Sequence, residues 1–275
     1  MTRAPSRASY PPTASVRSIP NFIVFGEMGV GKSSLINLIA GEQVAKVSPD
    51  ALSCTLGSTE HQIRVSDPQL NVNLFDTAGL DTPTVDSHTG YLNALVKAHE
   101  LIVSLKNQGG VHGLLFCVKG RVTTTTQQNY RLIFEFLCQG QVPLALVVTN
   151  LENEEESMDE WWTRNQAHFK AYGIDPVTHV CITTIKGHNN AYATRYSESR
   201  TKVHNILREL GSREACLVDV IGWFSWLCKK LWLLVPEALR LKLDHWNTMR
   251  MLTKRCKLKE EHAAQLLQNI GLPSS

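Results

Sequence analysis

Short apolar runs alternate with longer amphipathic segments through residues 19–211. Runs of about four to eight apolar or alternating residues are typical of strands, and apolar residues at every third or fourth position are typical of helices. Strands are predicted at 19–26, 59–66, 70–79, 111–120, 142–150 and 179–184, and helices at 32–41, 91–110, 126–140, 157–173 and 197–211. This alternation predicts βαβ units with right-handed crossovers. We therefore expect an α/β fold, a three-layer sandwich that forms one domain over 19–211.

Composition and charge add a few restrictions. The chain has 275 residues, of which 43% are apolar, and a formal net charge of +3, so we expect a globular protein with no nucleic-acid partner. Seven cysteines without a CxxC pair are typical of reduced thiols in a cytoplasmic protein. Residues 1–18 carry three arginines and no acidic residue, which predicts a disordered basic tail.

One glycine-rich stretch has the spacing of a phosphate-binding loop. "GEMGVGKSS", residues 26–34, fits G-x-x-x-x-G-K-[ST] between a predicted strand and a predicted helix. Glycine allows the backbone to approach phosphate oxygens, and the helix N-terminus adds a partial positive charge. Lys32 is expected to act in catalysis at the β- and γ-phosphates, and Ser33 to bind Mg²⁺. The predicted phosphate-binding residues are Gly26, Glu27, Met28, Gly29, Val30, Gly31, Lys32, Ser33 and Ser34.

A carboxylate follows the predicted strand at 70–79. Asp76 lies at the end of the apolar part of "NLFDTAG", where a buried strand would bring it beside the phosphate loop. It is predicted to hold Mg²⁺, and the backbone N–H of Gly79 to meet the γ-phosphate. Loss of that phosphate would release residues 80–90, which makes them a predicted switch.

The stretch "LVVTNLENEE" is the candidate for recognition of the base. GTPases read guanine with a carboxylate in a loop after a buried strand, commonly spelled [NT]KxD. Here Thr149 fits the first position, Asn150 replaces the lysine, and Glu152 replaces the aspartate one methylene further out. A second base-contacting loop is expected in "TTIKG", with Thr184 and Ile185 as candidates. The alternative for Glu152 is that it only opens the solvated acidic run at 152–156.

These motifs together resemble the septin-related branch of GTPases, which includes the immunity-associated (GIMAP) GTPases and chloroplast import receptors; the resemblance is closest to short fungal proteins with one G domain. It covers about 19–211 and is carried by "GEMGVGKSSLINLIAG", "DTAGL", "KGRVTTTTQQNYRLIFEFL" and "VVTNLENEEESMDEWW". It implies a P-loop NTPase fold of the Ras-like type, with GTP or GDP and Mg²⁺ bound. It also implies a switch-one threonine on Mg²⁺ and in catalysis, with Thr55 the best placed and Ser53 and Thr59 as rivals.

Two departures from Ras-type sequences predict slow hydrolysis. Leu80 follows "DTAG" in place of the glutamine that orients the attacking water, and Met28 replaces a loop glycine. Relatives in the branch dimerise across their nucleotides, so a homodimer that activates hydrolysis is expected. His88 and Arg121 are candidate contributors, with a solvated loop residue and a carboxylate-paired arginine as the respective structural alternatives.

Residues 212–275 are predicted to form a helical, partly basic extension. In 217–235, Asp219, Gly222, Ser225 and Lys229 form one polar stripe on an otherwise apolar helix with three tryptophans. Burial against protein and attachment to a membrane surface are both open, whereas the two lysines count against a transmembrane span.

Three functions remain open from the sequence. The first is a slow GTPase switch activated by dimerisation. The second is a nucleotide-locked scaffold that does not hydrolyse GTP, and the third is a P-loop ATPase.

Overall fold

The computed structural model describes residues 19–45, 59–66, 69–77, 88–234, 245–254 and 258–269. Within these ranges six strands form one sheet in the order β2-β3-β1-β4-β5-β6. β2 pairs antiparallel with β3, and all the other neighbours are parallel. The strands are β1 Asn21–Phe25, β2 Thr59–Val65, β3 Leu70–Asp76, β4 Gly113–Lys119, β5 Leu144–Thr149 and β6 Thr178–Cys181.

Helices cover both faces of the sheet. They are α1 Lys32–Ala40, α2 His88–Asn107, α3 Thr124–Tyr130, α4 Met158–Ala171, α5 Ala193–Gly211, α6 Val220–Leu234, α7 His245–Lys254 and α8 Glu260–Asn269. A π-helical segment, Arg131–Leu137, continues α3, and a 3₁₀ turn spans His188–Asn190.

The five strands other than β2 each supply side chains to two separate cores, because successive strand residues point to opposite faces. In β1, Ile23 and Phe25 belong to one buried cluster, and Phe22 and Val24 belong to the other. The first cluster includes residues of α2, the π-helical segment, α4 and the C-terminal helices, and the second includes residues of α1 and α5. The predicted three-layer α/β sandwich is confirmed.

One predicted helix differs in its details. The segment 126–140 was expected to be one helix, whereas the structure divides it into α3 and the π-helical segment. The carbonyl of Glu135, in the last turn of this segment, accepts a hydrogen bond from Nε1 of Trp226 in α6, at 3.3 Å. The spacing of apolar residues in 126–140 does not indicate a contact with a residue about 90 positions later in the chain.

The C-terminal extension packs on the side of the sheet that carries α2. Trp223, Phe224 and Leu227 of α6 are buried in the same cluster as the strands, and the ring of Phe224 meets that of His99 edge-on at 4.9 Å. This is the burial against protein that was one of the two readings of 217–235. Leu252 of α7 also belongs to the cluster.

The predicted polar stripe of this helix faces outward at both ends. Asp219 and Lys229 are exposed, and Gly222 and Ser225 are partly exposed. Among the described residues, no helix combines the length and the apolar character needed to cross a membrane.

Buried histidines stabilise the base of the sheet in their neutral form. His112 accepts a hydrogen bond at Nδ1 from the backbone N–H of Asn21 at 3.1 Å, and Nε2 of His204 lies 2.9 Å from the carbonyl of Ile39. Burial lowers the pKa of both histidines below the ordinary value of 6.5. A protonated Nδ1 at His112 would no longer accept from Asn21.

These lowered values predict a loss of stability at acid pH. Below pH 6.5 the unfolded chain takes up protons that the folded chain resists, so the free energy of unfolding should fall as pH drops from 7.5 to 5.5. Urea unfolding across this range measures the slope. His112→Gln should reduce the slope, and His168→Gln, on the exposed face of α4, should leave it unchanged. A slope equal to that of the wild type in His112→Gln would contradict the assignment.

Candidate nucleotide site

The loop between β1 and α1 has a backbone that requires glycine. Gly26, Gly29 and Gly31 have φ values of 144°, 78° and 94°. A Cβ at Gly26 would lie 2.2 Å from the carbonyl oxygen of Cys117 in β4, which no side chain can occupy. The predicted phosphate loop is therefore formed by close backbone contact with the neighbouring strand.

Lys32, the first residue of α1, folds back over this loop. Its Nζ donates to the carbonyl of Gly26 at 2.8 Å and to that of Glu27 at 3.0 Å, and the residue is buried. The arrangement places a positive charge beside the helix N-terminus, where both favour an anion. Met28, by contrast, is 61% exposed at the outer edge of the loop.

Ser33 and Asp76 provide hard oxygen donors of the kind that Mg²⁺ prefers. Asp76 is the last residue of β3 and is buried beside β1, where it is paired in register with Val24. Ser33 is the second residue of α1, directly after Lys32. A hydroxyl and a carboxylate fit this ion, with its other positions left to phosphate and water oxygens.

Thr149, at the end of β5, connects the phosphate loop to the loop predicted to bind the base. Its buried Oγ1 donates to the carbonyl of Val30 at 2.7 Å. The next residue, Asn150, has a φ of 63°, which turns the chain sharply away from the strand. The first position of the base motif thus has a structural partner 119 residues earlier in the chain.

Glu152 is oriented by a residue that the sequence analysis did not select. Its Oε2 accepts a hydrogen bond from Oγ1 of Thr183 at 3.0 Å. Thr184 and Ile185, the predicted residues of the second loop, follow directly, and Ile185 is 45% exposed. The structure therefore brings Glu152 and the loop after β6 together, with the contact made one residue earlier than expected. The repeated threonine in "ITT" was the available signal.

Glu27 turns its carboxylate toward α3 and not into the loop. Its Oε1 accepts from Oγ1 of Thr123 at 2.9 Å and also from Oγ1 of Thr126. The same two threonines form a capping box at the start of α3. The three-residue spacing of Thr123 and Thr126 indicates a cap in the sequence, but it does not indicate a partner in the phosphate loop.

Several predicted residues lie outside the described ranges or lack partners within them. Thr55 and Gly79, together with Ser53 and Leu80, are outside the described residues. Thr59 opens β2 and is paired in register with Asp76. Arg121 is exposed, and within the described ranges no carboxylate forms an ion pair with it, so the expected structural partner is not found there.

Cys181 directly precedes the second loop, and its side chain is buried. Burial raises the pKa of Cys181, the last residue of β6, to about 12, so its thiol keeps its proton at neutral pH.

Comparisons with known proteins agree with this arrangement. Residues 21–150 match the family described as 50S ribosome-binding GTPase. GTPase Der of Campylobacter concisus is 28% identical over 152 residues, which cover 55% of this chain and 30% of Der. GTPase Der of Streptococcus suis is 27% identical over 144 residues, which cover 52% of this chain and 29% of Der. The chain thus spans less than a third of the length of these relatives.

Among solved structures, a variant of Era from Aquifex aeolicus bound to GDP and AlF4⁻ has the same fold. Its TM-score is 0.50 at 14% identity, with 78% of this chain and 68% of that chain covered. The chain carries a P-loop G domain of the GTPase type. GTPase Der is similar to this G domain in sequence, the Era structure shares its fold, and its placement in the septin-related branch stays a prediction.

The bond from Thr149 to Val30 predicts a specific stability defect in the G domain. Thr149→Val keeps the side-chain shape but leaves the buried carbonyl without this donor, which should lower the free energy of unfolding by about 1–3 kcal/mol. Thr149→Ser keeps the hydroxyl and should lose clearly less.

Urea unfolding checks this prediction, with Thr163→Val as the control. Thr163 lies on the exposed face of α4, where its hydroxyl bonds a carbonyl of its own helix. Equal losses in Thr149→Val and Thr163→Val would show that the bond to Val30 has no particular weight.

Proposed function

We propose that this protein binds GTP and GDP with Mg²⁺ and acts as a switch that hydrolyses GTP slowly as a single subunit. The observation that carries the proposal is the continuous arrangement of phosphate loop, Thr149 and Glu152. Lys32 lies at one end of this arrangement and the carboxylate of Glu152 at the other. A G domain needs these two ends at a fixed separation, because one nucleotide must contact both.

The phosphate end supplies charge and backbone donors. On binding, Nζ of Lys32 would exchange the carbonyls of Gly26 and Glu27 for phosphate oxygens, and the loop N–H groups would bind the same anion. Ser33 and Asp76 would hold Mg²⁺, which neutralises charge on the β- and γ-phosphate oxygens when it is bound. Gly79 and Thr55 are proposed to complete this end from the γ-phosphate side.

The base end supplies the acceptor for guanine. A carboxylate at Glu152 can accept from the ring N1–H and the exocyclic amine of guanine, whereas adenine has no N1–H to donate. Thr149 and Asn150 set the start of this loop, and Thr184 and Ile185 are proposed to line the base from the other side.

Hydrolysis is proposed to be slow in the monomer and faster in a homodimer across the nucleotide face. Leu80 lacks a polar group to orient water, and Met28 projects from the phosphate loop with most of its surface exposed. A second subunit facing this loop would bury that methionine and shield the phosphates from bulk water, while the attacking water stays at the γ-phosphate. Arg121, exposed next to the start of α3, is a proposed contributor.

Two further points concern attachment to a membrane surface and nucleic-acid partners. We propose that the face of 217–235 that is not buried against the protein attaches to a membrane surface. Ribosome binding is named in the description of the matching family. The absence of a nucleic-acid partner stays a prediction for this chain.

Removal of either end of the site should have a distinct effect. Lys32→Ala should weaken GTP binding by at least about tenfold, because a charged hydrogen-bond donor to phosphate is lost. Glu152→Ala should remove the preference for GTP over ATP while triphosphate binding persists. Titration of a fluorescent GTP analogue, followed by competition with ATP, measures both.

Matched controls exist for both changes. Lys170→Ala removes an exposed lysine of α4, and Glu156→Ala removes an exposed glutamate of the same acidic loop. Unchanged affinity in Lys32→Ala, or equal competition by ATP and GTP in the wild-type chain, would overturn the proposed function.

The purified chain should contain GDP and hydrolyse added GTP slowly, with a specific rate that rises with protein concentration. Dimerisation across the nucleotide gives this dependence because the completed site forms only in the complex. Extraction of bound nucleotide and a dilution series of single-turnover rates provide the measurement.

The other outcomes distinguish the alternatives. Trapped GTP with negligible turnover would favour the nucleotide-locked scaffold, and an adenine nucleotide would favour a P-loop ATPase. A fast rate that is independent of concentration would remove the argument for a dimer.

A further inference from the structure

The first half of α5 contacts both loops that are proposed to hold the base. Arg195 and Ser199 lie four residues apart on this helix, about one turn, and therefore on one face. Arg195 contacts the loop at 150–156, and Ser199 contacts the loop that follows β6. One helix face thus joins the two loops.

Ser199 is fully buried, and both roles of its hydroxyl are used. Its Oγ donates to the carbonyl of Arg195 at 2.6 Å and accepts from the backbone N–H of Thr183 at 3.0 Å. Because the hydrogen is committed to Arg195, a lone pair faces Thr183 and fixes the backbone at that residue.

Thr183 passes this constraint to the base-reading carboxylate. Its buried Oγ1 accepts from the backbone N–H of Ile185 at 3.3 Å and donates to Oε2 of Glu152 at 3.0 Å. Ser199 therefore acts on Glu152 through Thr183, without touching the carboxylate itself.

Arg195 holds the other side of Glu152, at its backbone. Nη1 donates to the carbonyl of Glu152 at 2.7 Å, and Nη2 lies 3.4 Å from the carbonyl of Glu155 and 3.5 Å from that of Glu156. The planar guanidinium thus contacts three carbonyls of the loop, an arrangement that a lysine cannot reproduce.

These hydrogen bonds add to the packing of Leu151, which precedes Glu152 and is buried in the core. A cleft of about 510 Å³ lies between the loop and the start of α5, lined in part by Glu152, Tyr192 and Arg195. Arg195 crosses this cleft, as does the hydroxyl of Tyr192, which donates to Oδ1 of Asn153 at 2.8 Å. The side chain of Glu152 is partly exposed; Thr183 bonds its carboxylate, and Arg195 bonds its backbone carbonyl.

A glutamate needs this support more than an aspartate does. It has one more rotatable bond, and its terminal torsion is broad, so an unrestrained carboxylate would sample many orientations. Thr183 fixes Oε2, while Oε1 accepts no hydrogen bond from any described residue. One carboxylate oxygen is anchored and the other is left to a ligand.

We propose that Arg195 and Ser199 are positioning residues that give the site its selectivity for the exocyclic amine of guanine. The inference rests on the proposed function, in which Glu152 reads the base. Hypoxanthine lacks that amine, so ITP and GTP differ by one hydrogen bond to a correctly placed carboxylate. When the carboxylate is misplaced, GTP loses this advantage over ITP, whereas the contacts of the phosphate loop stay the same for both.

The test measures the affinities of the full-length chain for GTP and ITP by displacement of a fluorescent GDP analogue. Ser199→Ala and Arg195→Lys should each reduce the GTP-to-ITP affinity ratio by about tenfold, which is the loss of one charge-assisted hydrogen bond. Affinity for ITP should fall less than affinity for GTP, because hypoxanthine has only the N1–H to donate to this carboxylate whereas guanine also has the amine. A change in the ratio is specific to base reading, since loss of stability alone would weaken both nucleotides together.

The matched control is Thr201→Ala. Thr201 is exposed on the same helix, and its hydroxyl donates to the carbonyl four residues earlier, as that of Ser199 does. This variant should keep the wild-type ratio. Where Ser199→Ala does not fold, Thr183→Val should lower the ratio and Thr183→Ser should retain it, because only serine keeps the hydroxyl.

The outcomes separate this inference from the function on which it rests. If Glu152→Ala abolishes the preference for GTP while Ser199→Ala, Arg195→Lys and Thr183→Val keep it, the positioning role is wrong and guanine reading stands. If Glu152→Ala keeps the preference, guanine reading by this residue fails and the inference fails with it. A lower melting temperature in Ser199→Ala with an unchanged ratio would make Ser199 purely structural.

Discussion

The hydrogen bond from Thr149 to the carbonyl of Val30 sets the geometry on which the rest of the site depends. β5 is not adjacent to β1 in the sheet, because β4 lies between them. The Thr149 side chain spans this separation and also lies 3.4 Å from the carbonyl of Val118 at the end of β4. Buried contacts at the carboxyl ends of the strands thereby fix the distance from the phosphate loop to the base loop. A rigid separation suits a nucleotide, whose own length between base and phosphate varies little.

The strand order explains why the loops meet at this edge. The chain leaves β1 toward β3 on one side and reaches β4 on the other, so the loops after β1 and β4 diverge and leave a crevice at the carboxyl ends of the strands. The phosphate loop occupies this crevice, and Glu27 crosses it to the threonines at the start of α3. At the base end of the site, α5 supports the loops that follow β5 and β6, around Glu152. Glu27 and Thr149 thus each connect the phosphate loop with an element that follows another strand.

Local patterns in the sequence predicted the elements, but not the contacts between them. The apolar run of β1 and the glycine spacing of the phosphate loop depend on near neighbours, and the predicted order of strand, loop and helix is confirmed. The bonds of Thr126 to Glu27 and of Thr183 to Glu152 join residues 99 and 31 positions apart, so no local pattern shows them. The π-helical turn and the burial of α6 are also absent from local patterns, since each depends on a surface contributed by another helix. The antiparallel direction of β2 follows from its short connection to β3, which leaves no room for a crossover.

The contacts of Glu27 also connect the nucleotide site with the C-terminal helices. Thr123 and Thr126 begin α3, α3 continues into the π-helical segment, and that segment packs on α6 through Glu135 and Trp226. α6 packs in turn on α2, which follows the predicted switch. The extension therefore touches α2 and the π-helical segment that continues α3. Such continuity carries a signal only where one of these elements has two arrangements. Along this route, the π-helical segment is the element whose hydrogen bonding departs from the α-helical pattern.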